Sequence, residues 1–479
     1  MKFSRFLLLA CTALAGLPAF GQTNKADLVR LLDSQTATYG DIANRIWNFA
    51  EIGYQETRSS ALLQQTLREA GFTVEAGVAG IPTAFVASYG SGGPVIGILG
   101  EFDALPGVSQ SAEPFRQERP DAKAGHACGH HLFGTGSAAA AIAIKDWLRA
   151  TGTPGTIRFF GCPAEEGGAG KIYLVRAGLF NDVDTVLHWH AGDRNGVTMA
   201  SSLANKSAKF RFHGIASHAA AAPERGRSAL DGVEAFDHMA NLMREHVPST
   251  TRIHYVITRG GEAPNVVPAF AEVFYYVRQP SRRVLAEIWA RLEKAAQGAA
   301  LGTGTTVDWE IIHGAYELLP NEPLGRAMQA NLEQVGGVTY DEKERAFATA
   351  IGQTLPGGRP AALELAAAIQ PFDPSPTVGP ASTDVGDVSW VVPTMGLSAA
   401  TWVPGTPGHS WQAVACGGTS IGTKGMMVAA KTLALTAVDL FTTPQLIAAA
   451  KADLLQRRGP DFQYQSLVGD RPPPLDYRN

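Results

Sequence analysis

The chain has 479 residues, of which 45% are hydrophobic and 18% charged. That length suits two or three domains around a sizeable core, and the composition excludes a disordered chain and a polytopic membrane protein. Lys and Arg number 40 against 44 Asp and Glu, a formal charge of -4 with no long run of one sign, which argues against electrostatic binding of nucleic acid.

The N-terminus reads as a targeting segment. Lys2 and Arg5 precede an apolar stretch from Phe6 to Leu17, and a small-x-small pattern ends at Gly21. Residues 1–21 are therefore expected to be a secretory signal, and the protein to be exported to the periplasm or beyond without a membrane anchor. A lipidation box at Leu8-Leu9-Ala10-Cys11 is the weaker reading, because it leaves too short an apolar region before the cysteine. Of the 4 cysteines, Cys11 leaves with the signal. Cys128, Cys162 and Cys416 remain. An odd count in an oxidising compartment implies a buried free thiol or a metal ligand; Cys162 and Cys416 are expected to be buried thiols, with a disulfide between them as the alternative.

Helical periodicity covers 25–50 and 57–70. Short apolar runs at 94–99, 156–160 and 185–187 read as buried parallel strands, with an alanine-rich buried helix at 132–149 between the first two. From 206 the pattern changes. Alternating strands are expected at 206–214, 252–259, 271–278 and 305–313, with helices at 228–246 and 282–299. That β-α-β-β-α-β order is the split pattern of a ferredoxin-like sandwich, inserted at 205–315 into an α/β domain made of 22–204 and 316–479. A strand at 397–402 and helices at 417–440 and 444–457 return to α/β. The tail beyond Gly459, with Pro472-Pro473-Pro474, is expected to be extended.

Polar constellations follow the strands, where open α/β sheets bind ligands. They are Glu101-Phe-Asp103, Cys162-Pro-Ala-Glu165-Glu166-Gly-Gly, His188-Trp-His190 and Gly405-Thr-Pro-Gly-His409. A fifth, Gly125-His126-Ala-Cys128-Gly-His130-His131, opens the alanine-rich helix. Singly each has an ordinary explanation. A Glu-Glu pair is usually solvated surface, Cys-x-His is often chance, and His409 could be a turn residue. His188 and His190 alternate on a strand, so both should point the same way. Jointly they fit one metal site. Two divalent ions about 3.5–4 Å apart take mixed His, carboxylate and thiolate donors and leave room for water. Of two adjacent glutamates, one can bind while the other moves a proton. Asp103 suits holding an imidazole in place from behind.

Seven blocks, among them GEFDALPG, GHACGHHLFGTG, CPAEEGGAGK, SHAAAAPERGRSALDGVE and TPGHSWQAVACGGTSIGTKGM, resemble the dinuclear metallopeptidases and amidohydrolases. That family includes aminoacylase, carboxypeptidase G, carnosinase and the auxin-conjugate hydrolases, and the nearest branch is that of the B subunit of p-aminobenzoyl-glutamate hydrolase. The resemblance covers nearly the whole mature chain. It implies a zinc-peptidase-like catalytic domain whose insert is a lid and dimerisation domain, two divalent ions per subunit (Zn or Mn), and a homodimer. A thiolate ligand leans to zinc and the nearest branch to manganese.

Residue by residue, the resemblance implies Cys128, His130, Glu166, His190 and His409 as metal ligands and Glu165 as the general base. His218 is expected to act on the substrate or the oxyanion from a neighbouring subunit, and Asn265 and Arg278 to lie near a substrate carboxylate. His131 departs from the Asp or Asn usual there and offers a sixth metal-binding group. Glu101 stands where distant relatives place a ligand histidine, and its role is open. The expected reaction is hydrolysis of an amide bond in an N-acyl amino acid, an aminobenzoyl-glutamate-like compound or a dipeptide. The rival readings are a thiol hydrolase built on Cys128 or Cys162, and a non-catalytic secreted protein that binds metal or peptide. The second has no use for a base at Glu165.

Overall fold

The computed structural model describes residues 24–356 and 362–478, so the expected signal at 1–21 lies outside the described residues. In chain order the strands are β1 (Thr73–Ala76), β2 (Phe85–Ser91), β3 (Val95–Glu101), β4 (Gly155–Cys162), β5 (Thr185–Gly192), β6 (Gly196–Val197), β7 (Ala204–His213), β8 (Arg252–Arg259), β9 (Phe270–Gln279), β10 (Thr306–Ala315) and β11 (Thr394–Ala400). The helices are α1 (Lys25–Ser34), α2 (Thr36–Phe49), α3 (Thr57–Glu69), α4 (His130–Thr151), α5 (Gly170–Arg176), α6 (Ala229–Met243), α7 (Arg282–Thr303), α8 (Glu322–Val335), α9 (Glu342–Thr354), α10 (Val385–Val391), α11 (Trp411–Gly417), α12 (Ser420–Thr442) and α13 (Pro444–Arg458).

A seven-stranded sheet runs β1-β2-β4-β3-β5-β11-β6. Its four middle strands are parallel, as their continuous apolar runs predict, while β1, β2 and β6 pair antiparallel at the two edges. The alanine-rich α4 is buried almost throughout and packs against β3, β4, β5 and α12. Small side chains there let the helix lie close on the sheet. The apolar α12 is long enough to cross a membrane by composition, yet 83% of its most apolar stretch is buried inside the protein, where it is a core helix.

The second sheet, β8-β9-β7-β10, is antiparallel throughout. With α6 and α7 it forms the ferredoxin-like insert, which has its own core around Phe210, Phe236, Tyr275 and Trp289. Burial alternates along β9, with Val273, Tyr275 and Val277 fully buried and Phe274, Tyr276 and Arg278 half-buried on the other face. The helices cover only one face of this sheet.

Several sequence expectations need adjustment. The helix expected at 25–50 is two helices, α1 and α2, broken at Gln35. The strand expected at 185–187 runs on to Gly192 and carries both His188 and His190. The helix expected from 417 begins at Ser420, after the separate short α11. The edge strands β1 and β2 and the helices α8, α9 and α10 have no counterpart among the expected elements. The tail beyond Gly459 has no regular structure, yet it is anchored. Arg471 donates to the Ile312 carbonyl (2.9 Å) and pairs with Glu310 (3.0 Å), and Tyr464 donates to Asp387 (2.7 Å).

Candidate metal centre

The site is built from loops that leave the parallel strands and from the start of α4. Cys128 and His130 flank Gly129, which caps α4 with φ 78°. A Cβ on Gly129 would come within 2.4 Å of the Ala191 Cβ, so only glycine lets this turn sit against β5. That contact brings Cys128 Sγ to 3.4 Å from His190 Nε2. His190 Nδ1 stands 2.8 Å from the Ala191 carbonyl oxygen. Donation there places the proton on Nδ1 and leaves Nε2 as a lone pair facing the sulfur.

His130 is held the same way, with Nδ1 2.8 Å from Asp103 Oδ1. Its Nε2 is 3.0 Å from Glu101 Oε2, but the two are not aligned as a hydrogen bond, and both atoms are buried without a partner. Burial pushes the His130 pKa down, but Cys128, Asp103 and Glu101 outweigh it and hold it well above the usual histidine range.

The turn carrying Glu165 and Glu166 leaves β4 through a strained backbone. Ala164 and Ala169 have φ of 57° and 55°, left-handed values that alanine seldom adopts, and Gly167 has φ 96°. Four neighbours fix it. Glu56 accepts from the Ala164 amide (2.8 Å), Asp103 accepts from the Glu166 amide (3.0 Å), and Tyr54 donates to the Gly168 carbonyl (2.7 Å). The fourth is the C-terminal tail: Tyr477 and Arg478 both donate to the Glu166 carbonyl, at 3.0 and 2.6 Å. Neither tail residue is legible in the sequence as part of the site.

Charge divides the two glutamates. For Glu165, burial, then Glu101, Glu166 and Asp384, drives the pKa well above the usual carboxylate range. For Glu166, burial also raises the pKa, but contact with His409 and the charge of His130 outweigh it and leave it lowered. His409 Nε2 lies 3.0 Å from Glu166 Oε1, on a loop where His409 itself has φ 58° and its amide donates to Ala127. Behind Glu165 sits Lys171, with none of its side chain exposed, 2.6 Å from both Glu101 and Asp384. Burial would lower the Lys171 pKa, but the two carboxylates hold it well above its ordinary value.

The donor atoms fall into three overlapping groups, each within 4.8 Å: Cys128, His130 and His190; Cys128, Glu166 and His409; Glu101, His130 and Glu165. The orphaned buried atoms Glu101 Oε2, His130 Nε2 and Glu166 Oε1 belong to this cluster. Buried polar atoms seldom go unpaired, and thiolate, imidazole and carboxylate are the donors that divalent ions take. The residues present therefore fit a dinuclear metal centre.

His131 lies outside these groups. Its Nε2 is 3.0 Å from the Gly417 carbonyl and its ring packs 4.8 Å from His126. His188 and His190 both line a small cavity of about 150 Å³, as strand alternation predicts, but only His190 reaches the cluster. Cys128, Cys162 and Cys416 are all free thiols, which removes the Cys162–Cys416 disulfide. Burial pushes the Cys162 pKa up to about 12, so it is no ready nucleophile.

A cavity of about 200 Å³ opens over Glu165, Glu166 and His409 and is closed on the insert side by Asn205, Tyr276 and Arg278. Arg278 is thus brought to the site. His218 and Asn265 do not line this cavity. They sit together on the exposed outer loops of the insert, where Ala219 donates to the Asn265 carbonyl.

The profile of the peptidase family M20/M25/M40 matches residues 97–397. This chain belongs to that family. It is 43% identical over 440 residues to the B subunit of p-aminobenzoyl-glutamate hydrolase of Escherichia coli, covering 87% of this chain and 92% of that one. It is 30% identical to a mouse Xaa-Arg dipeptidase, covering 88% and 90%. An aminobenzoyl-glutamate utilization protein of Klebsiella pneumoniae shares the fold with a TM-score of 0.60 at 18% identity, covering 86% of this chain and 98% of that one. A dinuclear metal-binding M20 peptidase of Bacillus subtilis does so with a TM-score of 0.58 at 17% identity, covering 86% and 99%. The protein is a metal-dependent amidohydrolase with an inserted ferredoxin-like domain.

Proposed function

We propose that the protein hydrolyses the amide bond of an N-acyl amino acid, an aminobenzoyl-glutamate-like compound or a dipeptide, with Glu165 as general base. The observation that carries this reading is the convergence of Cys128, His130, His190, Glu166 and His409 beside Glu165 at a cavity of about 200 Å³. Cys128, His130, Glu166, His190 and His409 would hold two divalent ions, zinc or manganese. When bound, these supply Lewis acidity and lower the pKa of a water. Glu165 takes the proton of the attacking water and delivers it to the leaving nitrogen, as a group with a raised pKa is suited to do. Asp103 keeps His130 in the tautomer that presents Nε2, and the carbonyl of Ala191 does the same for His190. Arg278 orients a substrate carboxylate from the insert side. Metal analysis of the purified protein separates zinc from manganese. Turnover of model amides that a chelator abolishes and added metal restores tests the reading; turnover that survives complete metal removal would refute it.

The site needs a second copy of the chain. His218 stays out of the catalytic cavity of its own chain, and β8 is an edge strand whose Val256 is 64% exposed. Unpaired strand edges invite pairing, and α6 adds exposed Met239 and Leu242 on the same domain. Two inserts pairing here would let His218 of one subunit polarise the substrate carbonyl in the other. The test is complementation between inactive Glu165→Gln and His218→Ala proteins. In a mixed two-fold dimer one site carries both lesions and the other neither, so about a quarter of all sites regain activity after random exchange. No recovery, with exchange confirmed, would sink the cross-subunit role. Export remains part of the proposal: periplasmic protein with a mature N-terminus near residue 22 is the expected finding by mass spectrometry.

A further inference from the structure

The segment that follows α13 touches both domains in turn along its length. Phe462 packs on Trp390 of α10 with ring centres 5.1 Å apart. Arg282, which opens α7 of the insert, sets its guanidinium 4.8 Å from the centre of the Phe462 ring and 4.2 Å from that of Trp390. The Gln465 carbonyl then accepts from the Tyr316 hydroxyl (2.6 Å), where the chain leaves the insert. Leu467 lies so close on Gly314 of β10 that a Cβ there would come within 2.6 Å of the Leu467 Cβ. Arg471 donates to the Ile312 carbonyl and to Glu310 of the same strand, while its own carbonyl accepts from Arg176 of α5 (2.6 Å). Pro472-Pro473-Pro474 follow, and Tyr477 and Arg478 end the run on the Glu166 carbonyl. A proline ring fixes φ, so the stretch between Arg471 and Tyr477 has little freedom to slacken.

The two ends of this run back opposite walls of the catalytic cavity. On the insert side, Ser207 of β7 pairs with His313 and Ala208 with Ile311, so Ile312 is the extra residue of a β-bulge. Bulges bend a strand and re-aim the side chains beside them. Here the bulged residue's carbonyl is the one Arg471 takes, and its neighbour His313 lines the catalytic cavity with a buried Nδ1 that has no partner. The facing wall is the turn of Glu165 and Glu166, held by Tyr477 and Arg478. The insert is joined covalently to the catalytic domain only where the chain enters β7 and leaves β10, and this segment adds a third tie.

We propose that residues 462–478 form a strap that sets the spacing between the two walls of the catalytic cavity, with Arg471 as its positioning residue on the insert. Arg471 lies outside the donor groups and outside the lining of the cavity, so it acts through what it holds. Fastened at both ends, the strap keeps Asn205, Tyr276, Arg278 and His313 at one distance from Glu165. Released at Arg471, the insert pivots on its two covalent connections, and the stiff run of prolines carries the release to the Glu166 turn. The strap goes beyond the amide-hydrolase reading, which only its kinetic readout requires.

Hydrogen exchange of the metal-loaded protein tests the coupling without turnover. Arg471→Met should speed amide exchange about tenfold in 311–315 and also, across the cavity, in 164–168. Arg471→Lys keeps the charge but loses the fork between the Ile312 carbonyl and Glu310, and should fall between. Faster exchange in 311–315 with 164–168 unchanged would show that Arg471 serves its own strand alone and would overturn the strap. If Arg471→Met does not fold, Glu310→Gln, which spares the Ile312 contact, is read by the same two segments. In turnover of a model amide, Arg471→Met should lower kcat/KM about tenfold, chiefly through KM. Independent sites give losses that multiply. Arg471→Met and Arg478→Gln break one strap, so together they should cost well short of the product of their single losses; a full product would refute the proposal. If no amide is cleaved, the hydrolase reading fails, and the exchange measurement still decides the strap.

Discussion

The C-terminal tail can be removed from the turn it braces without touching a metal donor. Tyr477→Phe with Arg478→Gln deletes the two hydrogen bonds to the Glu166 carbonyl. A hydrogen bond from a charged group is worth about 1.5–3 kcal/mol and a neutral one about 0.5–1.5 kcal/mol. This carbonyl is only partly buried, so water replaces some of the loss, and about 2 kcal/mol is the reasonable net. That is comparable to the left-handed alanines on the same turn, Ala164 and Ala169, which cost on the order of 1–3 kcal/mol each. Without the tail the strained turn has a competitor of similar energy. At about 1.36 kcal/mol per decade, the double variant should lose about 30-fold in kcat/KM, and Tyr477→Phe alone about fivefold. Metal retention against a competing chelator should fall in parallel, because Glu166 sits on the same turn. The melting temperature should move little, since Tyr464 and Arg471 still anchor the tail. Undiminished turnover and undiminished metal retention in the double variant would show that the turn holds itself and that the reasoning is wrong.

Other outcomes follow from the same geometry. Glu165→Gln should keep its metal and lose several orders of magnitude in turnover, whereas Glu166→Gln should lose metal as well; equal metal content in the two would reverse the division of labour. Cys128 should resist alkylation in the metal-loaded protein and react after chelation, read by intact mass; rapid labelling of the loaded protein would remove it from the donor set. Asp387 is buried, accepts from the Tyr316 amide and from Tyr464, and burial raises its pKa to about 7. A carboxyl whose folded pKa is raised contributes stability fully present below its unfolded pKa and lost as pH rises through the folded value. Between about pH 4 and pH 7 this group therefore takes away up to about 4 kcal/mol, and Asp387→Asn should flatten the pH dependence of chemical denaturation in that window. An unaltered profile would place Asp387 outside the titration.

What can be read from the sequence is local in character. Parallel strands announce themselves as apolar runs, and the polar residues just beyond them belong at one rim of the sheet. Asp103, Glu165, Glu166 and His190 can therefore be grouped from strand ends alone, and Cys128 and His130 join them from the turn that opens α4. Alternation in 252–259 and 271–278 likewise marks two strands of the insert, and the first has the bounds expected. What stays hidden depends on partners far away in the chain. Nothing near Glu166 announces that Tyr477 will donate to its carbonyl, and nothing near Lys171 announces Glu101 and Asp384. His131 sits beside a true cluster member and turns instead to Gly417. In the insert, the register that sets Arg252 of β8 opposite Arg278 of β9 is equally hidden, because alternation alone leaves it free by two residues in either direction.

Charge ties these pieces into one argument. Glu101, Asp103, Glu165, Glu166 and Asp384 converge on a space where Lys171 is a buried amine paired with Glu101 and Asp384, and where His130 is held by Asp103. Buried carboxylates without cations are costly. The chain aims carboxylate, thiolate and imidazole donors at a common space. In the proposed reading divalent cations in that space would satisfy the donors and leave Glu165 to accept the proton of the attacking water. Arg278 lies on the other side of the cavity, on the insert. In the proposed reading the acidic rim would recruit metal, and Arg278, across the cavity on the insert, would orient the substrate beside Glu165.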